Sequence, residues 1–103
     1  MPGFKRVASI EEIPPGEARV FIVDGVEIAV ANLDGNFYAI DDVCSHDGGP
    51  LGEGPLSGAE VECWRHGARF DVRTGQPRAL PAMLPVRTYP VVVVADEIRV
   101  DVG

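Results

Sequence analysis

Cysteine and histidine are rare in this chain of 103 residues, and all four of these side chains lie between positions 44 and 66. They form the pattern Cys44-x-His46, then sixteen intervening residues, then Cys63-x-x-His66. Thiolate and imidazole groups bind zinc or the irons of iron–sulfur clusters, whereas hard cations such as calcium prefer oxygen ligands. The pattern therefore predicts a metal centre whose ligands are Cys44, His46, Cys63 and His66.

The spacing within each ligand pair bears on which metal binds. Structural zinc sites usually separate two ligands by two to four residues, which suits Cys63-x-x-His66 but not the tighter Cys44-x-His46. A two-iron cluster removes this conflict, because the cysteine and the histidine of one loop can bind different irons, as in mixed Cys/His clusters. A single zinc ion remains the alternative at this point.

Short β-strands are predicted on both sides of this segment. The dipeptide Asp24-Gly25 separates two β-branched runs, which is a strong hairpin signal. A second hairpin is expected near the C-terminus around Asp96-Glu97, and a single helical turn near residues 9–13. The predicted strands are residues 19–23, 26–33, 37–40, 91–95 and 98–102. This pattern predicts an all-β chain, an antiparallel β sandwich or partly closed barrel.

The middle of the chain differs from both flanks. Glycine and proline crowd residues 48–58, strands are expected at 59–64 and 69–72 with a turn at Thr74-Gly75, and prolines mark a third loop from residue 77 to 85. The length fits one domain, because domains most often have about 100–150 residues. We therefore expect a single domain, 1–103, with a small subdomain at about 41–85 inserted in a β base.

Two segments carry a family resemblance. Residues 44–51 (CSHDGGPL) and 63–71 (CWRHGARFD) resemble the two cluster-binding loops of Rieske proteins. Residues 72–75 (VRTG) and 79–82 (ALPA) are similar to the continuation found in ferredoxins of bacterial ring-hydroxylating dioxygenase systems. The resemblance implies three layered antiparallel sheets and one Rieske-type two-iron two-sulfur (2Fe-2S) cluster bound by Cys44, His46, Cys63 and His66.

The chain also differs from one group of Rieske proteins at positions close to the predicted ligands. Rieske proteins of cytochrome bc complexes have two further cysteines, where this chain has Gly49 and Arg65, so the disulfide of those relatives cannot form. They also have hydroxyl donors to the cluster sulfurs where this chain has Ala68 and Phe70. Without these donors, we expect a reduction potential in the low part of the Rieske range, about −150 to +300 mV.

The charge of the chain limits its partners. Aspartate and glutamate total 16 against 9 lysine and arginine, a net charge of −7, which disfavours nucleic acid and anionic membranes. Neither a membrane-spanning run nor a signal peptide is evident, so a cytoplasmic location is expected. The acids nearest the ligands are expected to be solvated: Asp41, Asp42, Glu53, Glu60 and Glu62.

Three functions remain open from the sequence. The leading hypothesis is a one-electron carrier, not an enzyme, which the resemblance places between a flavin-containing ferredoxin reductase and a terminal oxygenase or other redox acceptor. The second hypothesis is a zinc-stabilised interaction module. The third is an iron–sulfur sensor or a structural subunit of a larger redox enzyme.

Overall fold

The structure is a computed structural model, and it describes residues 3–42, 54–62, 69–79 and 84–103. Its strands are β1 (Phe4–Ser9), β2 (Glu17–Val23), β3 (Val26–Leu33), β4 (Asn36–Asp41), β5 (Gly54–Pro55), β6 (Glu60–Glu62), β7 (Arg69–Asp71), β8 (Pro77–Ala79), β9 (Thr88–Tyr89), β10 (Val91–Val94) and β11 (Glu97–Asp101). They form three antiparallel sheets: an outer sheet ordered β1-β11-β10, a central sheet ordered β5-β2-β3-β4-β9, and a small sheet ordered β6-β7-β8. The predicted all-β fold is confirmed.

The hairpin of β2 and β3 forms where the sequence predicted it. Val23 pairs with Val26, so Asp24 and Gly25 are the two turn residues, with φ of 49° and 78°. Positive φ at both positions matches the right-handed twist of the flanking strands and suits an Asp-Gly pair. This turn sets the register of the central sheet.

Strand β3 is buried on both faces because the central sheet lies between the other two. Ile28 and Val30 pack toward Ile98 of the outer sheet, in one core cluster. Ala29 and Ala31 alternate with them and belong to a second cluster with residues of the small sheet. The alanines are small, which leaves room for the large ring of Phe70, fully buried on β7. The three layered sheets that the resemblance implied are therefore present.

The C-terminal hairpin differs by one residue from the prediction. Val94 pairs with Glu97, so the turn residues are Ala95 and Asp96, with φ of 52° and 64°, rather than Asp96 and Glu97. Alanine is an unusual residue at positive φ, so the sequence pointed to the acidic pair instead. The correct register places Ile98 and Val100 in the core and leaves Arg99 on the other face.

Four of the strands, β1, β5, β8 and β9, were not predicted; β5 has only the two residues Gly54–Pro55, in the segment rich in glycine and proline. Strand β1 mixes charged and apolar residues without clear alternation, and β9 has only two residues. Strand β8 begins with Pro77, which the sequence assigned to a loop; it lies at the edge of the small sheet, where proline is tolerated. The helical turn predicted near residues 9–13 is a 3₁₀ turn at Ile10–Glu12, and the backbone N–H of Ser9 donates to the Glu12 carboxylate at 2.8 Å.

Within the residues that the structure describes, a helix of the length and apolarity needed to cross a bilayer does not occur.

Candidate metal centre

The four predicted ligands, Cys44, His46, Cys63 and His66, lie outside the described residues, as do Glu53, Ala68 and Pro81. Within the described ranges, no group of three or more histidine, cysteine, aspartate or glutamate side chains could hold a metal ion. The structure does describe the strands from which both ligand loops start. These strands show how the sequence positions the two loops.

The first ligand loop follows β4, whose end is fixed from two sides. The backbone N–H of Asp41 donates to the carbonyl of Arg87 at 2.9 Å, and the N–H of Asp42 donates to the carbonyl of Glu27 at 3.1 Å. The Tyr89 hydroxyl also donates to the Asp41 carboxylate. The chain is therefore held by neighbouring strands up to two residues before Cys44.

The acids at this end of β4 are less solvated than the sequence suggested. Asp42 is only 3% exposed, so its prediction as a solvated acid is wrong. The Asp42 carboxylate raises the pKa of Glu27, because it accepts a hydrogen bond from the protonated Glu27 carboxyl and because its negative charge disfavours the ionised form of Glu27. Asp41 is half-buried, whereas Glu62 is exposed as expected.

The second ligand loop is closed by a hairpin. Val61 pairs with Phe70 and Glu62 pairs with Arg69, so six residues, 63–68, connect β6 to β7. Val61 and Phe70 are both buried against the central sheet, which fixes the hairpin to the core. The Arg69–Glu62 ion pair at 3.4 Å is exposed and adds little to the stability of the hairpin. Packing of the strands therefore fixes the residues on either side of the segment that carries Cys63 and His66.

The turn at the other end of β7 is built around the buried carboxylate of Asp71. Its Oδ1 accepts from the Arg73 backbone N–H at 2.8 Å and its Oδ2 from the Arg73 guanidinium at 2.8 Å. A second guanidinium, that of Arg78 on β8, lies 3.4 Å away. These bonds, above all the side-chain bond from Arg73, lower the pKa of Asp71 to about 2. The carboxylate thus ties β7 to its turn and to β8.

We expect Asp71→Asn to lower the free energy of unfolding at pH 7 by about 1–2 kcal/mol, after allowance for the exposure of the two arginines. The amide keeps an acceptor for the Arg73 N–H but loses the charge. The pKa of Asp71 is lower in the folded state than in the unfolded state, so its charge stabilises the protein at every pH above the unfolded pKa of 3.8. This stabilisation is lost as the pH falls toward the folded pKa of about 2. Urea unfolding of both proteins from pH 7 to pH 3 measures the difference in their free energies of unfolding. This difference should be constant down to about pH 4 and smaller below it. A difference that shrinks between pH 7 and pH 5 would contradict the assignment.

The donor set fits a two-iron cluster. Two separate loops each offer one thiol and one imidazole, and each loop starts from a strand fixed in the sheets described above. Two thiolates for one iron and two imidazoles for the other is the ligation of a Rieske centre. The residues present would therefore hold such a cluster without any further ligand.

Comparison with known proteins decides the family. The Rieske [2Fe-2S] domain matches residues 3–90. The chain belongs to the Rieske [2Fe-2S] domain family. The predicted cofactor, one Rieske-type 2Fe-2S cluster, is thereby confirmed.

Individual relatives of this Rieske chain match along nearly its whole length. The ferredoxin component of the p-cumate 2,3-dioxygenase system of Pseudomonas putida is 42% identical over 99 residues, which cover 94% of this chain and 84% of that protein. The solved ferredoxin of carbazole 1,9a-dioxygenase from Nocardioides aromaticivorans IC177 is 45% identical, with a TM-score of 0.89 and coverage of 94% and 95%. A complex of reduced oxygenase and oxidised ferredoxin in carbazole 1,9a-dioxygenase also matches, at 32% identity and a TM-score of 0.88, covering 98% of this chain and 94% of the matched chain. The predicted resemblance to dioxygenase ferredoxins is confirmed.

Sequence reasoning missed the residues that support the ligand loops. The turn at Gly75 was predicted, but the bond of its carbonyl to Val86, the bond of Tyr89 to Asp41 and the arginine partners of Asp71 were not. For Asp71, the arginines at positions 73 and 78 were a weak signal, because two guanidinium groups close in sequence to a carboxylate can both bind it. For Tyr89, nothing in the sequence indicated its partner.

Proposed function

We propose that this Rieske chain is the ferredoxin component of a ring-hydroxylating dioxygenase system, a one-electron carrier without catalysis of its own. The observation that carries the proposal is similarity along 94% of the chain to ferredoxins of such systems, at 42% and 45% identity. A solved relative is a ferredoxin in complex with its oxygenase. The cluster takes an electron from a flavin-containing reductase and passes it to a terminal oxygenase.

The finer parts of the proposal concern the ligands, the domain and the location. Cys44, His46, Cys63 and His66 bind the cluster, supported by their pattern and by the strands on either side. Residues 1–103 form one domain, with the small sheet inside the subdomain at about 41–85. The carrier acts in the cytoplasm, the location expected from its sequence.

A coupled assay tests the function. Purified protein is mixed with NADH and a flavin-containing ferredoxin reductase, and the visible spectrum is followed without oxygen. We expect red-brown protein that accepts one electron per chain and is reoxidised when a terminal oxygenase with substrate and oxygen is added. Colourless protein with one zinc ion would support the interaction module. A cluster that exchanges no electrons with a reductase would support the sensor or structural subunit.

The reduction potential is a separate prediction. We expect a midpoint in the low part of the Rieske range of about −150 to +300 mV. Ala68→Ser should raise it by about 60 mV, because a hydrogen bond to a charged acceptor is worth about 1.5 kcal/mol and a one-electron couple shifts by about 59 mV per tenfold change. Voltammetry of the two proteins checks both statements. A strongly positive midpoint for the unsubstituted protein would contradict the first, and an unchanged one for Ala68→Ser would contradict the second.

A further inference from the structure

The segment Val86–Tyr89, here called the brace, contacts the supports of both ligand loops. Toward the small sheet, the Val86 backbone N–H donates to the carbonyl of Gly75 at 2.8 Å. Toward the central sheet, the Arg87 carbonyl accepts from Asp41 at 2.9 Å. In addition, β9 pairs with the last part of β4. One four-residue segment thus bonds to both halves of the site.

The contact of the brace with the small sheet depends on a glycine. Gly75 has a φ of 77°, and a Cβ at this position would lie 2.2 Å from the Val86 carbonyl oxygen. It would also lie 3.1 Å from the Thr88 methyl group. A side chain at position 75 would push the brace away from the β7–β8 turn, so the close approach is possible only without one.

The Tyr89 hydroxyl adds a side-chain bond to the backbone contacts of the brace with β4. The ring is 7% exposed, and the Arg87 guanidinium lies over it at 5.0 Å from the centroid. The hydroxyl donates to the Asp41 carboxylate. Burial and this bond raise the pKa of Tyr89 to about 12, so the phenol stays protonated and keeps its donor role at neutral pH. Asp41 is three residues before Cys44.

These contacts form one mechanical link. The small sheet carries the loop with Cys63 and His66, and β4 leads into the loop with Cys44 and His46. A cluster that takes ligands from both loops is held firmly only if their separation is fixed, as positioning residues must hold a site within a fraction of an ångström. The brace bonds to both supports through the residues named above, so it is placed to fix that separation.

We propose that the brace fixes the separation of the two ligand loops, with Tyr89 and Gly75 as positioning residues that determine how firmly the cluster is retained. The inference rests on the proposed ligand set. It extends that proposal from the ligands themselves to the residues that hold their loops apart.

The test compares the rate of cluster loss in holoprotein variants. Tyr89→Phe removes the hydroxyl and keeps the ring, and we expect the cluster to be lost to a chelator about 10-fold faster, the factor that one hydrogen bond to a charged group is worth. Its reduced cluster should also show a broadened electron paramagnetic resonance spectrum, because the ligand geometry becomes less uniform. Asp41→Ala should behave alike, and the double variant no worse, because both changes remove the same bond. Asp41→Asn keeps an acceptor oxygen and should lose its cluster more slowly than Asp41→Ala.

A control separates this role from general stability. Ile13 is fully buried, and its carbonyl accepts from Asn32 beside the β3–β4 turn, at the end of β4 away from Asp41. Ile13→Val should lower the unfolding temperature without changing the resonance spectrum or the rate of cluster loss. If Tyr89→Phe retains its cluster as the unsubstituted protein does, or Ile13→Val loses it equally fast, the brace proposal is overturned. If the unsubstituted protein binds no iron, the ligand assignment fails instead.

Discussion

His46→Ala is expected to yield colourless protein whose iron and acid-labile sulfide fall from about two of each per chain to nearly none. The physical reason is that the sequence holds two cysteines and two histidines in total, so no spare thiol or imidazole can replace the lost ligand. An iron with three ligands and an open position is exposed to water and chelators. Iron and sulfide analysis, with the visible spectrum, measures the effect directly.

The matched control for this substitution is Ser45→Ala, which changes the neighbouring residue in the same loop without removing a ligand. It should retain the iron, the sulfide and the red-brown colour. His66→Ala should behave as His46→Ala does, since both imidazoles would bind the same iron in the proposed Rieske ligation. A native spectrum in either histidine variant would mean that the ligand set has been assigned wrongly.

The proposed ligand set rests on a local signal and stays a prediction, because its four residues lie outside the described ranges. One residue lies between Cys44 and His46 and two lie between Cys63 and His66, and the chemistry of these side chains limits the metals that fit. The central hairpin was predictable for a similar reason, because Asp24-Gly25 suits a turn with positive φ at both positions. Short-range patterns of this kind do not depend on the rest of the fold.

The supports of the site could not be predicted because they are long-range. Tyr89 and Asp41 are 48 residues apart, and the strand that brings them together has two residues. The burial of Asp42 likewise follows from its place beside Glu27 on β3, not from its neighbours in sequence. The shift of the C-terminal turn to Ala95 and Asp96 has the same origin, since packing of Ile98 in the core fixed the register. Tertiary packing, and not local sequence preference, therefore determines the Tyr89–Asp41 contact, the burial of Asp42 and the position of the C-terminal turn.

Gly75→Ala is expected to destabilise the protein more than a glycine substitution at any open turn. The alanine backbone must keep a φ near 77°, and its methyl group would lie 2.2 Å from the Val86 carbonyl oxygen. The strain of positive φ costs about 1 kcal/mol or more, and displacing the brace adds about 1–3 kcal/mol, so we expect a loss of about 3 kcal/mol. Denaturant unfolding followed by far-ultraviolet circular dichroism provides the measurement.

Gly25→Ala separates the two contributions, because Gly25 has nearly the same φ, 78°, and a methyl group there would meet nothing within 4 Å. It carries the backbone strain alone and should cost about 1 kcal/mol. Amide hydrogen exchange shows whether the additional loss of stability in Gly75→Ala arises at the contact with the brace. The Val86 amide, bonded to the Gly75 carbonyl at 2.8 Å, should exchange faster in Gly75→Ala and at its normal rate in Gly25→Ala. Equal losses of stability in the two variants would show that the close contact between Gly75 and Val86 contributes nothing, and that only the turn geometry requires glycine.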